Sequence, residues 1–309
     1  MGRARTHPGT RGGTGVLLTA AALVSGLTMG DASAAAPQWR DDPTPVPQYP
    51  GALNQIDAVD ARTAWTVGVE ENNGQQSAVY RWDGTRWNRQ TAPHIVPTDV
   101  AGADAGHAWA GGITLTGGAA LYWNGTTWNR VDYPGGIPVG IAAAPDGSAW
   151  SVGGALFGGG GVVLRWTGSA WAKVTVPLPP GASLTAVAAG SAHDVWISGS
   201  AGTGDDVRPF VMHWDGGSWR TIALPVPGDA AHSLIMRIHV VSPADVWAIR
   251  SPASSALLHW NGLRWQEIPT PGAVGALSVT DDGGRGAWVV PYTDDDATTR
   301  RATTCTGPA

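Results

Sequence analysis

The chain is 309 residues long, and its 17 tryptophans fall into one repeating pattern. Six of them end a short apolar strand, namely Trp65, Trp109, Trp150, Trp196, Trp247 and Trp288, spaced 41 to 51 residues apart. Ten more form five copies of Trp-x-Gly-x-x-Trp: Trp82 to Trp87, Trp123 to Trp128, Trp166 to Trp171, Trp214 to Trp219 and Trp260 to Trp265. In each copy the second tryptophan is followed six residues later by proline (Pro93, Pro134, Pro177, Pro225, Pro271), and Trp39 stands the same distance before Pro45. Trp39 therefore reads as the missing sixth member. Cys305-Thr306-Gly307 occupies the place of Trp-x-Gly, 17 residues after Trp288.

A period of 40 to 50 residues points to solenoids, propellers or arrays. The content of a unit decides between them. In the fourth, strands are expected at Leu184 to Ala188, Asp194 to Ser198, Pro209 to Trp214 and Trp219 to Pro225, with no competing helical period. Asp83-Gly84, Asn124-Gly125, Asp215-Gly216 and Asn261-Gly262 mark tight turns between the third and fourth strands. The third strands are apolar on both faces (Val79 opposite Tyr80, Val163 opposite Leu164), as a sheet covered on both sides requires. These features predict an all-β fold, a six-bladed β-propeller in which the N-terminal strand Gln38 to Pro45 completes the last blade. Residues 37–309 are expected to form this single domain.

Trp outnumbers Phe 17 to 2, so the core relies on one large side chain. Each buried indole removes roughly 150–250 Å² from water. Register on the strands favours packing between blades over sugar-stacking platforms. Residues 1–36 carry Arg3, Arg5 and Arg11, an apolar run from Val16 to Met29, and small residues at Ala32-Ser33-Ala34 and Ala34-Ala35-Ala36. That is the plan of a secretory signal peptide, so a secreted, extracellular product without a membrane anchor is expected. Loss of Arg3, Arg5, Arg11 and Asp31 would take the formal charge from -5 to -7, which excludes nucleic acid as a favoured partner. The single cysteine, Cys305, cannot form an internal disulfide and reads as a small core hydrophobe.

Asp-Val-Trp (Asp194 to Trp196, Asp245 to Trp247) and Trp-Asp-Gly-x-x-Trp resemble the repeats of kelch and galactose-oxidase-like propellers, especially secreted propeller-repeat proteins of high-GC actinobacteria. After the second strand, the kelch double glycine occurs only at Gly111-Gly112 and Gly153-Gly154. Copper oxidase chemistry is not implied, since no tyrosine pairs with Cys305.

Short zinc spacings, a nucleophile elbow and a phosphate-cradling loop are all missing from the sequence. Ser191, His193 and Asp194 adjoin in a turn and are not expected to act as a triad. His213 and His259 share one repeat position with Arg81, Tyr122 and Arg165 and read as a polar rim. Binding residues concentrate on loops that a rigid scaffold holds. The strand-two to strand-three connections and the blade-to-blade links emerge at the same end of a propeller. Here they carry Glu70, Glu71, Asn72 and Asn73; His94; Asp205, Asp206 and Arg208; His232; Arg250; and Asp294, Asp295 and Asp296. Solvated loops are the plain reading. The sharper one is an acidic rim that binds a cation, a basic partner or a calcium-bridged sugar. No cofactor is expected, with calcium left open. A monomeric, non-catalytic binding module for an extracellular glycan or protein is expected. The alternative is a glycan-cleaving hydrolase or lyase using carboxylates such as Glu70, Asp206 and Asp295.

Overall fold

The computed structural model describes residues 39–41, 51–70, 76–154, 161–225, 231–251, 256–268, 275–281, 286–292 and 303–306. The chain divides into two compact units, Met1–Ala34 and Ala35–Ala309. In the second, β1 (Trp39–Asp41) precedes five consecutive four-stranded antiparallel meanders. Blade one is β2 (Gly51–Asp60), β3 (Thr63–Glu70), β4 (Gln76–Trp82) and β5 (Trp87–Arg89). Blade two is β6 (Val96–Asp104), β7 (His107–Thr114), β8 (Gly117–Trp123) and β9 (Trp128–Val131). Blade three is β10 (Ile137–Ala143), β11 (Ala149–Gly154), β12 (Val162–Trp166) and β13 (Trp171–Val174). Blade four is β14 (Ser183–Ser191), β15 (Asp194–Ala201), β16 (Arg208–Trp214) and β17 (Trp219–Ile222). Blade five is β18 (Leu234–Ser242), β19 (Asp245–Ser251), β20 (Ala256–Trp260) and β21 (Trp265–Ile268).

The expectation of six blades closed by the N-terminal strand is corrected here. Among the residues whose side chains are described, five blades, not six, have a packed core. The packed clusters among the described residues run over blades one to five. The remaining sheet joins β1 to β22 (Gly275–Asp281), β23 (Gly286–Tyr292) and β24 (Thr303–Thr306) in the order β1-β24-β23-β22. It is described as backbone pairing only, with Trp39 opposite Cys305. This unit is also the least regular in sequence, because its Trp-x-Gly-x-x-Trp hairpin is replaced by Cys305 and a distant Trp39. The side chains of Trp39 and Cys305 lie outside the described residues.

The tryptophans pack between blades. Trp65 of β3 meets Trp123 and Trp128 of blade two, with ring centroids 5.3 and 5.2 Å away. Trp109 meets Trp166 and Trp171 of blade three at 4.9 and 5.0 Å, and Trp196 meets Trp260 and Trp265 of blade five at 5.6 and 5.9 Å. Each of these three strand-two indoles thus fills a slot between the two hairpin indoles of the next blade, mostly edge to face, the arrangement the ring quadrupole prefers. The indole N–H groups of Trp65, Trp123, Trp128, Trp150, Trp171 and Trp265 have no hydrogen-bond partner among the described residues. These rings therefore act as apolar volume.

The shared third-strand position closes the outer side of that layer. Arg81 lies 5.5 Å over Trp65, Arg165 lies 5.4 Å over Trp150, and Tyr122, His213 and His259 lie 4.8, 4.2 and 4.3 Å from Trp109, Trp196 and Trp247. Cation or polar ring, each covers its cross-strand tryptophan.

The strand-three to strand-four hairpins are four-residue loops between paired tryptophans, Trp82 opposite Trp87 in blade one. Asp83 Oδ1 accepts from the backbone N–H of Thr85 and Arg86, and Asn124, Asp215 and Asn261 repeat this in their blades. The following glycines take φ near +90°, which glycine adopts without strain. Strand-two glycines have a different cause. A Cβ on Gly68 or Gly199 would stand 2.0 or 1.9 Å from the carbonyl oxygen of Ala52 or Ser183 on the inner strand. Blade five places Arg250 at this register, opposite Ile235.

Candidate functional site

The inner strands β2, β6, β10, β14 and β18 face a common channel with a cavity of about 200 Å³. Each carries a bulge, at Leu53/Gln55, Pro97/Asp99, Pro138/Gly140, Leu184/Ala186 and Ile235/Arg237. A bulge re-aims the residue that follows it. The post-bulge residues form one tier, Gln55, Asp99, Gly140, Ala186 and Arg237. Two residues further on, opposite the strand-two tryptophans, comes a second tier of Asp57, Ala101, Ala142, Ala188 and His239. Polar residues therefore occupy blades one, two and five, while blades three and four present glycine and alanine.

Within the first tier Arg237 Nε donates to Gln55 Oε1 at 2.8 Å, and Arg237 Nη1 donates to Met236 O at 2.7 Å. Asp99 accepts from Val100 N–H on its own strand and, through Oδ2, from Ile141 N–H of blade three at 2.9 Å. Asp57 Oδ2 likewise accepts from Gly102 N–H of blade two at 2.7 Å. These carboxylates satisfy inner-strand N–H groups that face no strand partner, and so tie adjacent blades together. In the second tier Asp57 Oδ1 and His239 Nδ1 are 3.4 Å apart. Desolvation in the channel raises Asp99 to about 6, against the opposing charge of Arg237, and the same desolvation lowers Arg237.

Inner strands begin at the end of the ring where the blade-to-blade links and the strand-two to strand-three loops lie. The Gln55, Asp99 and Arg237 tier is the one nearer that end. On the same end, Asp205 and Asp206 form a single 3-10 turn, Gly204–Asp206, and are exposed. Arg208 Nη1 donates to Asp205 O at 3.0 Å, and His232, at φ 61°, donates its backbone N–H to Val207 O. His232 Nε2 stands 3.6 Å from Asp205 Oδ1. The loop of blade four and the link into blade five thus bring Asp205, Arg208 and His232 together. His94 is exposed on the link from blade one to blade two, beside a cleft of about 470 Å³ that Gln76, Arg89 and Gln90 also line.

Two residues read as loop residues are strand residues with buried side chains. Glu70 ends β3 with no exposed surface, accepts from Tyr80 Oη at 3.1 Å and from Arg89 Nε at 2.6 Å, and pairs with Arg89 Nη2 as well. Burial, then the Glu70 charge, push Tyr80 up to about 12. Arg250 is buried, donating to Pro225 O at 2.8 Å and pairing with Glu267 at 3.2 Å. Glu70 and Arg250 each pair with an oppositely charged residue on the outer strand of the same blade. Glu71, Asn72, Asn73, Asp294, Asp295 and Asp296 lie outside the described residues. Among the described residues no three His, Cys, Asp or Glu side chains converge as a metal site would need, and no helix is long and apolar enough to cross a membrane.

Asp194 accepts from Trp196 Nε1 at 2.9 Å and contacts His213 Nε2 at 2.7 Å, while Ser191 Oγ accepts from His193 N–H. Those contacts spend the Ser-His-Asp stretch on the turn and on the tryptophan layer. The channel residues escaped the sequence reading. Their signal was a charged or amide side chain eight or ten residues before a strand-two tryptophan, in inner strands otherwise built of Ala, Gly and β-branched residues.

No family model matches the chain, and no curated protein matches it. Among solved structures it is similar to the fungal Aleuria aurantia lectin, whose structure reports a fucose recognition mode (TM-score 0.59, 14% identity, 84% of this chain and 93% of that one). It is similar to a putative gluconolactonase (TM-score 0.56, 15% identity, 89% and 93%) and to YCF48 bound to D1 peptide (TM-score 0.52, 14% identity, 87% and 97%). At these identities the likeness establishes the β-propeller fold, which hosts unrelated functions.

Proposed function

We propose that this chain is a secreted, non-catalytic binding module for an extracellular glycan or protein, which it engages at the end of the propeller where the inner strands begin. The observation that carries this reading is the pairing of exposed Asp205, Arg208 and His232 at that end with the polar channel tier of Gln55, Asp99 and Arg237 beneath it. Rigid strands hold both sets, and polar groups converging on a concavity are what a binding site needs. Propeller neighbours that bind a fucosylated glycan or a peptide are compatible with either partner. Residues 1–36 would serve as the export signal.

The glycan-cleaving alternative named carboxylates such as Glu70, Asp206 and Asp295. Glu70 is enclosed by Tyr80 and Arg89 and reaches no solvent, so it cannot serve as acid or nucleophile toward a sugar. The test is a glycan array probed with the protein in calcium and again in chelator. Specific binding is the expected result, and its loss under chelation would assign calcium to the acidic loops. Release of reducing sugar from array glycans, or no binding in either condition, would contradict the glycan reading; a null array leaves the protein partner to be sought directly.

A further inference from the structure

We propose that the channel takes one neutral, hydroxyl-rich unit, a single sugar ring at the end of a glycan, held by Gln55, Asp99 and Arg237. The inference rests on the glycan reading above and names the part of the glycan that enters the molecule. Three observations carry it. Gln55 is 4% exposed and its Oε1 is taken by Arg237 at 2.8 Å, which aligns the amide and leaves Nε2 as a donor without a partner among the described residues. Arg237 uses Nε and Nη1 on Gln55 and Met236, which likewise leaves Nη2. The wall opposite these groups is Gly140, Ala186, Ala142 and Ala188, whose small side chains leave the cavity of about 200 Å³, room for one ring and not for a chain.

The chemistry of the lining selects the ligand. A free anion would meet the carboxylates of Asp57 and Asp99 in the same channel. A bare cation would meet the Arg237 guanidinium, and both Asp99 oxygens already accept backbone N–H groups. An apolar ligand would leave the donors of Gln55 and Arg237 unmatched, a costly outcome in a dry site. Hydroxyl groups satisfy all of them, because each accepts from an N–H and donates to a carboxylate lone pair. The fixed fork of arginine and the planar amide and carboxylate suit adjacent hydroxyls on a ring.

The test is a calorimetric titration of the full chain with free D-glucose, D-galactose, D-mannose and L-fucose, with glycine and inorganic phosphate as further arms. One hexose is expected to bind at one site per chain, while glycine and phosphate give no heat. Arg237→Met should weaken it at least tenfold, the loss expected when a hydrogen bond to a charged group disappears. Gln55→Glu keeps the shape and the acceptor for Arg237 but removes the Nε2 donor. It should weaken binding by a similar factor even if the arginine variant fails to fold. Arg86→Ala, on an exposed hairpin at the opposite end of blade one, should leave hexose affinity within twofold. No hexose binding, binding unchanged in both channel variants, or binding of phosphate or glycine instead would overturn the proposal. Array binding that persists in Gln55→Glu and Arg237→Met would overturn the channel and leave the loop-face reading standing. An array without hits would overturn that reading, and the hexose titration would still decide the channel by itself.

Discussion

The tryptophan layer and the channel wall are built on the same strands and obey opposite rules. In the layer every blade repeats the same residue at the same register, and even the lid residues Arg81, Tyr122, Arg165, His213 and His259 vary in type while doing one job. On the wall the first tier differs in every one of these blades, and polar groups gather in blades one, two and five. Repetition in this molecule marks scaffold, where identical blades need identical interlocks. Departure from the repeat marks the places where a residue is free to face something other than the next blade.

The comparison breaks most visibly if the layer is opened. Trp196 is 1% exposed and locked between Trp260 and Trp265, so Trp196→Ala should cost about 3–5 kcal/mol, read from denaturant midpoints. An effect below about 1 kcal/mol would mean the indoles are not the interlock. Next come two ion pairs of mirrored polarity. Glu70 in β3 pairs with Arg89, two residues past Trp87, whereas Arg250 in β19 pairs with Glu267, two residues past Trp265. Glu70→Ala should cost about 2–4 kcal/mol because the buried member is removed and Tyr80 loses its acceptor. Glu267→Ala leaves the buried Arg250 charge without its carboxylate, although Pro225 O remains, and should cost about 1–3 kcal/mol.

The wall has its own signature in pH. Asp99 is raised to about 6 by burial, above its unfolded value, so the folded state binds the extra proton between about pH 4 and 6. Its contribution to stability is therefore fully present below about pH 4 and is lost as pH rises through about 6, a fall on the order of 1–3 kcal/mol. Asp99→Asn should flatten that part of the stability profile, measured as urea midpoints across pH 4 to 7. A profile with the same slope in the variant would remove Asp99 from the account. The smallest effect is expected at the lids. Arg81→Ala exposes one edge of Trp65 and should cost about 0.5–1 kcal/mol of cation–π contact.

Much of the scaffold could be read from the residues. Trp-x-Gly-x-x-Trp located the third and fourth strands because two bulky apolar groups flank a four-residue turn that Asp83 or Asn124 closes with its own side chain. The Gly111-Gly112 and Gly153-Gly154 pairs were visible as a motif, but their cause, the Val96 carbonyl of the inner strand against Gly112 and the Gly135 carbonyl of the preceding link against Gly153, needed coordinates. Six repeats were counted from the tryptophan period, whereas the packed clusters among the described residues form five blades, because a tryptophan period counts strands and does not show how their side chains pack. The loop positions were less legible. Glu70 and Arg250 looked like loop charges because they end strands, and only cross-strand geometry revealed Arg89 and Glu267 as their partners. Asp57, Asp99 and His239 were overlooked because single polar residues in alanine-rich strands carry no motif. Their meaning comes from register, which places them on two levels of one channel.

The most direct test of scaffold against site is a pair of measurements on Gln55→Glu, its melting temperature and its affinity for the array glycan that the unaltered protein prefers. A melting temperature unchanged within a degree or two and an affinity at least tenfold lower is the predicted result. Unchanged affinity would contradict the account, and so would binding lost only in proportion to lost folding.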